Sequence, residues 1–285
     1  PTGLLIPPSN VMITFSLVSG GTSVAALFMA GYIPGALWAL ACMLVVYIYA
    51  KKAGYRSQTK LTGKEKFNAF IQALPCLLLI VIVIGGIIAG IFTATEGSVV
   101  AVVYSLLLSI YGYKSMKWKD LPEIFRSSAE MTGIIIFLIG VSSIMSWVMA
   151  FTNIPTMVSN GLLSISSNKY VILLMINIIL LVVGTFMDMT PATLIFTPIF
   201  LPVCTALGMN TIHFGIMLIF NLCIGTITPP VGTTLFVGVK VGGVKIETVF
   251  KHLLPYFFAI IVVLMLVTYI PQLSLWLPGL MGYVS

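Results

Sequence analysis

The stretch Gly225-Thr226-Ile227-Thr228-Pro229-Pro230 decides the fold, because it interrupts an apolar run from residue 211 to 240 that otherwise reads as one helix. Each proline lacks a backbone N–H and its ring clashes with the preceding turn, so the helix is expected to break there. Gly3-Leu4-Leu5-Ile6-Pro7-Pro8 carries the same Gly-x-x-x-Pro-Pro core at an offset of 222 positions, and that offset also sets Gly20-Gly21 on Gly242-Gly243 and Phe28 on Phe250. The chain therefore reads as an internal duplication with one broken helix in each copy. Freed carbonyls and amides persist at membrane depth only where they face protein or a polar cavity, and paired breaks in two halves of a chain are a pointer to a transporter's binding site.

Composition supports the membrane setting. With 59% hydrophobic and 7% charged residues and a mean hydropathy of +1.14, the chain has too little polar surface to coat a water-soluble globule. Its apolar runs last roughly 17 to 30 residues, which suits transmembrane helices and not the alternating strands of about ten residues that build barrels. The net charge of +7 comes from 14 Lys and Arg, of which Lys51, Lys52, Arg56, Lys60, Lys64 and Lys66 form one group, Lys114, Lys117, Lys119 and Arg126 a second, and Lys240, Lys245 and Lys251 a third. Basic clusters between apolar runs mark cytoplasmic loops and give no reason to expect nucleic acid. Cys42, Cys76, Cys204 and Cys223 lie in apolar segments without a Cys-x-x-Cys pair, and read as small buried hydrophobes.

Those inside loops order the spans. Residues 4 to 19 lead out of the first break, Gly20-Gly21 makes an outer corner, and 31 to 50 return to the first basic loop. Lys60 to Phe70 reads as an amphipathic helix along the inner face. Leu77 to Phe92 and Val99 to Tyr113 form the next two crossings around Thr93-Ala94-Thr95-Glu96-Gly97, in which Glu96 is expected to cap a helix. Residues 131 to 150 cross outward, and Phe151 to Asn168 lies on the outer face. Between 170 and 240 the count of crossings must be odd. Either 170 to 187, 192 to 207 and 211 to 240 cross separately, or 170 to 207 is a re-entrant hairpin and only 211 to 240 crosses. The hairpin is preferred, because the turn Gly184 to Pro191 has no basic residue to hold it at a cytoplasmic surface. The last span, Leu253 to Tyr269, leaves the C-terminus on the periplasmic side. The two copies of the duplication then run in opposite directions.

Asp188 is the one acidic residue of seven inside an apolar stretch away from a loop. A carboxylate at that depth costs at least about 2.5 to 3.5 kcal/mol and needs a cation, a proton or a helix N-terminus. It either caps the helix beginning near Pro191, with Thr190 assisting, or lines a cation site. The carbonyls of Gly225, Ile227 and Thr228 lose intrahelical donors, and with the Thr228 hydroxyl they offer the hard oxygens that suit Na⁺. Gly3, Ile6 and Pro8, next to Ser9 and Asn10, offer an equivalent set. Asp188, Thr190, Ser9 and Asn10 are the candidate substrate contacts. No Lys or Arg is expected in the core, so a carboxylate substrate would rely on helix N-termini near Pro191 and after Pro230, hydroxyls and bound cations. His213 and His252 read as interfacial. An intramembrane hydrolase would need a Ser/His pair or two aspartates at one depth, so the chain does not read as an enzyme.

The doubled Gly-x-x-x-Pro-Pro, Gly184-x-x-x-Asp188-Met-Thr-Pro191 and Ile87-x-x-Gly90-Ile-Phe-Thr-x-Thr-Glu96 together resemble the large membrane subunit of tripartite ATP-independent periplasmic (TRAP) transporters, over essentially all 285 residues. The resemblance implies an all-α, inverted-repeat, elevator-type transporter of the bacterial inner membrane, with a re-entrant hairpin and discontinuous helices. It implies Na⁺ coupling, import of an organic acid such as sialic acid or a C4-dicarboxylate, and two partners: a small membrane (Q) subunit and a periplasmic substrate-binding protein (P subunit). Carried over by position, one Na⁺ site would use Gly3, Ile6 and Pro8, and the other Gly184, Gly225, Thr228 and Val231, with Asp188 beside it. The transport domain would comprise 1–30 and 170–245, and the scaffold 31–169 and 246–285. The family's large subunit has a further N-terminal portion with a first hairpin, so this sequence reads as a fragment. A stand-alone Na⁺/dicarboxylate symporter of related architecture is the alternative.

Overall fold

In the computed structural model the helix preceding Pro229 ends at Gly225, and a new one begins only at Thr233. The structure describes residues 2–54, 62–229, 232–244 and 246–283. Every regular element among them is helical. In chain order they are α1 (Thr2–Leu5), α2 (Asn10–Val18), α3 (Val24–Ala53), α4 (Gly63–Ile88), α5 (Ala94–Leu107), α6 (Leu121–Phe151), α7 (Ile154–Ile165), α8 (Lys169–Phe186), α9 (Met189–Ala206), α10 (Thr211–Gly225), α11 (Thr233–Gly242), α12 (Ile246–Tyr269) and α13 (Gln272–Leu280). Seven helical stretches among the described residues are long and apolar enough to cross a membrane.

The duplication is visible in the backbone. α1 and α2 flank the first break as α10 and α11 flank the second. The offset of 222 carries the start of α3 at Val24 onto the start of α12 at Ile246, and Gly21 and its counterpart Gly243 both adopt the left-handed conformation that glycine tolerates.

The chain divides into two compact units, Pro1–Tyr49 with Phe137–Ser285, and Ala50–Ile136. In the smaller unit, Tyr104 donates to the Pro75 carbonyl at 2.9 Å and Tyr113 to the Gln72 carbonyl at 2.5 Å, fastening α5 and the turn after it to α4. Glu96 accepts from the Thr93 amide at 2.7 Å while Thr93 accepts from the Glu96 amide at 3.3 Å. This reciprocal cap is the role expected for Glu96.

Some sequence expectations are corrected. The Lys60 to Phe70 segment is not a separate surface helix: Lys60 lies outside the described residues, and from Gly63 the chain runs as one helix to Ile88. The amphipathic start and the apolar continuation share a helical period, so nothing forces a stop, and Thr62 with Glu65 caps the whole. α6 begins ten residues ahead of the expected crossing, at Leu121. Only Cys204 and Cys223 are buried, whereas Cys76 is exposed.

In the larger unit α10 is the central element, and every residue from Ile212 to Gly225 is buried. It packs on α8, α9, α12 and α1, and α2 packs on α9. The base of α8 lies beside the start of α10, where Lys169, Asn210 and His213 share one cavity, and its other end meets Gly225 through Gly184. The tip of the α8–α9 hairpin thus lies at the level of the break, and α8 and α9, of 18 residues each, are both long and apolar enough to cross a membrane. Phe15 of α2 lies beside Phe214, with ring centroids 6.1 Å apart and the rings tilted by 45°. α2 therefore leads from its break toward the face where α10 begins, and α11 leads from its break the other way, so the repeats are inverted.

Candidate functional site

The second break is closed by hydrogen bonds that a straight helix would not make. The Thr226 amide still bonds the Leu222 carbonyl at 3.0 Å, but Ile227 and Thr228 reach back only three residues, to Ile224 at 3.1 Å and Gly225 at 2.9 Å. The chain then turns, and the carbonyl of Thr226 accepts from the amides of Thr234 and Leu235 at 3.0 and 3.2 Å. One carbonyl of the incoming helix therefore caps the N-terminus of the outgoing one. Two α11 donors that a substrate carboxylate could have used are taken. Gly232, with φ of 39°, makes the turn possible, since a Cβ there would also lie 2.8 Å from the Thr228 oxygen.

The first break uses the equivalent carbonyl differently. At the same offset Thr226 corresponds to Leu4, whose carbonyl accepts from the Ser9 hydroxyl at 2.6 Å. Ser9 is buried, and so is Pro7. α3 seals this break: Gly35 admits Ile6, whose Cγ1 would lie 2.5 Å from a Cβ there, and Gly31 sits against the Leu5 carbonyl. Gly3, Pro8 and Asn10 are exposed and Ile6 is half-buried.

The hairpin tip joins the second break. The Gly232 amide donates to the Thr185 carbonyl at 3.2 Å, and Gly184 and Gly225 approach backbone to backbone. The Thr228 hydroxyl donates to the Ile224 carbonyl at 2.7 Å, which directs its lone pairs away from that helix. Asp188 occupies the N-cap position of α9, but its side chain makes no capping bond and is exposed, leaving a carboxylate without a hydrogen-bond partner among the described residues. Thr190, in the first turn of α9, is half-buried. The structure thus brings Gly184, Gly225 and Thr228 to one junction, with Asp188 on the turn that follows α8. Val231 lies outside the described residues. The Gly225 carbonyl is not unpaired as expected, since it accepts from Thr228, though a carbonyl has a second lone pair for a cation.

Behind this junction lies a polar network that sequence reading missed. Asn221 donates to Asn177 at 2.6 Å and to the Met217 carbonyl at 2.8 Å, and Asn177 donates to Thr268 at 3.1 Å. His213 is buried within the protein at 2% exposure, and its Nε2–H donates to the Val267 carbonyl at 2.7 Å. These bonds tie α8, α10 and the end of α12 together. A lone Asn inside an apolar helix was the available signal, because such residues seek a partner across helices.

A family model described as "Tripartite ATP-independent periplasmic transporter, DctM component" matches residues 1–273. The chain is 52% identical over 280 residues to "Uncharacterized protein YgiK" of Salmonella typhimurium, covering 98% of this chain and 64% of that one. It is 38% identical over 282 residues to "Sialic acid TRAP transporter large permease protein SiaM" of Vibrio cholerae, covering 99% and 66%. With "C4-dicarboxylate TRAP transporter large permease protein DctM" of Pseudomonas aeruginosa the identity is 37% over 280 residues, covering 98% and 65%. The chain spans slightly less than two thirds of the length of these relatives.

Proposed function

Because the chain belongs to the DctM component family of tripartite ATP-independent periplasmic transporters, we propose that its full-length form is the large permease subunit of a Na⁺-driven secondary transporter. It imports an organic acid handed over by a periplasmic binding protein, with a small membrane subunit as its second partner. Relatives named for sialic acid and for C4-dicarboxylates support a carboxylate-bearing substrate. The protein resides in the inner membrane with its three basic loops in the cytoplasm and its C-terminus in the periplasm.

The observation that carries this reading is the pair of inverted helix breaks at one offset, the second closed by a hairpin tip. Na⁺ is a hard cation, and main-chain carbonyls with a hydroxyl suit it. One ion is held by Gly3, Ile6 and Pro8, and the other by Gly184, Gly225, Thr228 and Val231, with Asp188 beside it. Substrate contacts are Asp188, Thr190, Ser9 and Asn10. A substrate carboxylate near Asp188 is repelled unless a cation lies between them, so Na⁺ binding and substrate binding support one another.

Transport proceeds by elevator movement of the body containing both breaks and the hairpin, relative to a scaffold to which residues 31–169 contribute. Residues 246–285 complete that scaffold, and α12 meets the moving body through the bonds from His213 and Asn177 to Val267 and Thr268. Uptake into proteoliposomes by the full-length protein, with and without its binding protein, tests the reading. Uptake should require the binding protein; equal uptake without it would favour a stand-alone symporter.

A further inference from the structure

Thirteen of the 14 Lys and Arg lie in the three basic loops; Lys169 is the exception. It sits at the base of the α8–α9 hairpin, at the opposite end of that hairpin from the break. There Lys169, Tyr170, Asn210, His213, Thr268 and Tyr269 line a cavity of about 220 Å³, with no Asp or Glu among its described lining residues. α10, a helix of 15 residues, starts at this wall with Asn210 as its N-cap, and Asn210 accepts from the Ile212 amide at 2.8 Å. The helix therefore presents its positive end beside the lysine. His213 already spends Nε2–H on Val267, so only Nδ1 is left to meet a guest. Tyr269 is held by donating to the Tyr170 carbonyl at 3.0 Å.

An apolar track leaves the mouth of this cavity. Tyr170, Leu174, Ile178 and Val182 follow one another at steps of four along α8 and are all exposed. Their span is about 18 Å at 1.5 Å per residue, close to the length of a lipid acyl chain. Exposed Trp276 on α13 adds an aromatic ring of the kind that sits at headgroup level.

We propose that this cavity is a phospholipid site, in which Lys169 and the α10 N-terminus hold the phosphate diester and the α8 track holds an acyl chain. The shared chemistry is a phosphate oxyanion; the apolar track selects the lipid over the free ion. The test uses delipidated full-length protein in nonionic detergent, titrated with phosphatidylglycerol, with inorganic phosphate and with diacylglycerol, reading the thermal midpoint.

Phosphatidylglycerol should raise the midpoint, while neither inorganic phosphate nor diacylglycerol should do so at the same concentration. Lys169→Gln should weaken the phosphatidylglycerol response about fivefold, the effect of one basic residue near a lipid surface, with Lys169→Arg retaining it. Leu275→Glu, which puts a carboxylate in the same wall, should weaken it too and serves if Lys169→Gln does not fold. An undiminished response in these variants, or an equal one to diacylglycerol, overturns the site. An equal response to inorganic phosphate overturns the lipid assignment.

Discussion

Gly184 and Gly225 meet so closely that a Cβ on Gly184 would lie 3.1 Å from the Gly225 Cα, and a Cβ on Gly225 would run into the Gly184 backbone. The neighbours are main chain, so they cannot yield by a rotamer change. Gly225→Ala and Gly184→Ala should each part the hairpin tip from the break, lowering stability by about 1 to 3 kcal/mol and reducing uptake. Gly161→Ala, with nothing within 4 Å of its added carbon and no part in the proposed site, should leave both intact. Thermal unfolding and uptake assays on the full-length variants check this contrast.

The breaks are legible in the sequence because a Gly-x-x-x-Pro-Pro core sets two adjacent prolines together, whereas the single prolines Pro34, Pro75 and Pro255 are carried inside α3, α4 and α12. Asp188 and the turn around it are legible for a similar reason, since a carboxylate inside an apolar run demands a special setting. The closing of the break is not legible. Any carbonyl near residue 226 could cap α11, and the choice of Thr226 follows from where the turn at Gly232 aims the chain. Nor is the burial of His213, which depends on α12, more than fifty residues away in sequence, bringing the Val267 carbonyl to its ring. The glycines at 31, 35 and 184 look alike in sequence to Gly3, and only packing separates the crowded positions from the open one.

The Asn177–Asn221 pair should be energetically coupled. Asn177→Val leaves the Asn221 amide and Thr268 short of a partner in a fully buried place, which should cost about 1 to 2 kcal/mol. Asn221→Val added to it should cost less than the two single losses combined. A double-mutant cycle on thermal unfolding in detergent measures the difference, and strict additivity would mean that the network holds nothing together.

Thr228 and Asp188 should affect Na⁺ more than folding. Thr228→Val keeps the shape and removes the hydroxyl oxygen, and should raise the half-saturating Na⁺ concentration for uptake about tenfold, equivalent to about 1.4 kcal/mol of lost binding. Asp188→Asn should also weaken Na⁺ dependence while leaving membrane insertion unchanged, because its side chain makes no hydrogen bond that folding relies on among the described residues. Na⁺ titrations of initial uptake rate, paired with size-exclusion profiles, separate the two effects.

The main-chain oxygens at two inverted breaks are proposed to bind Na⁺, and the most direct measurement is substrate uptake into proteoliposomes containing the full-length protein, its small subunit and its binding protein while external Na⁺ is varied. Uptake should rise steeply with Na⁺ and vanish when K⁺ replaces it at constant ionic strength. Uptake that proceeds equally well in K⁺ would contradict the account.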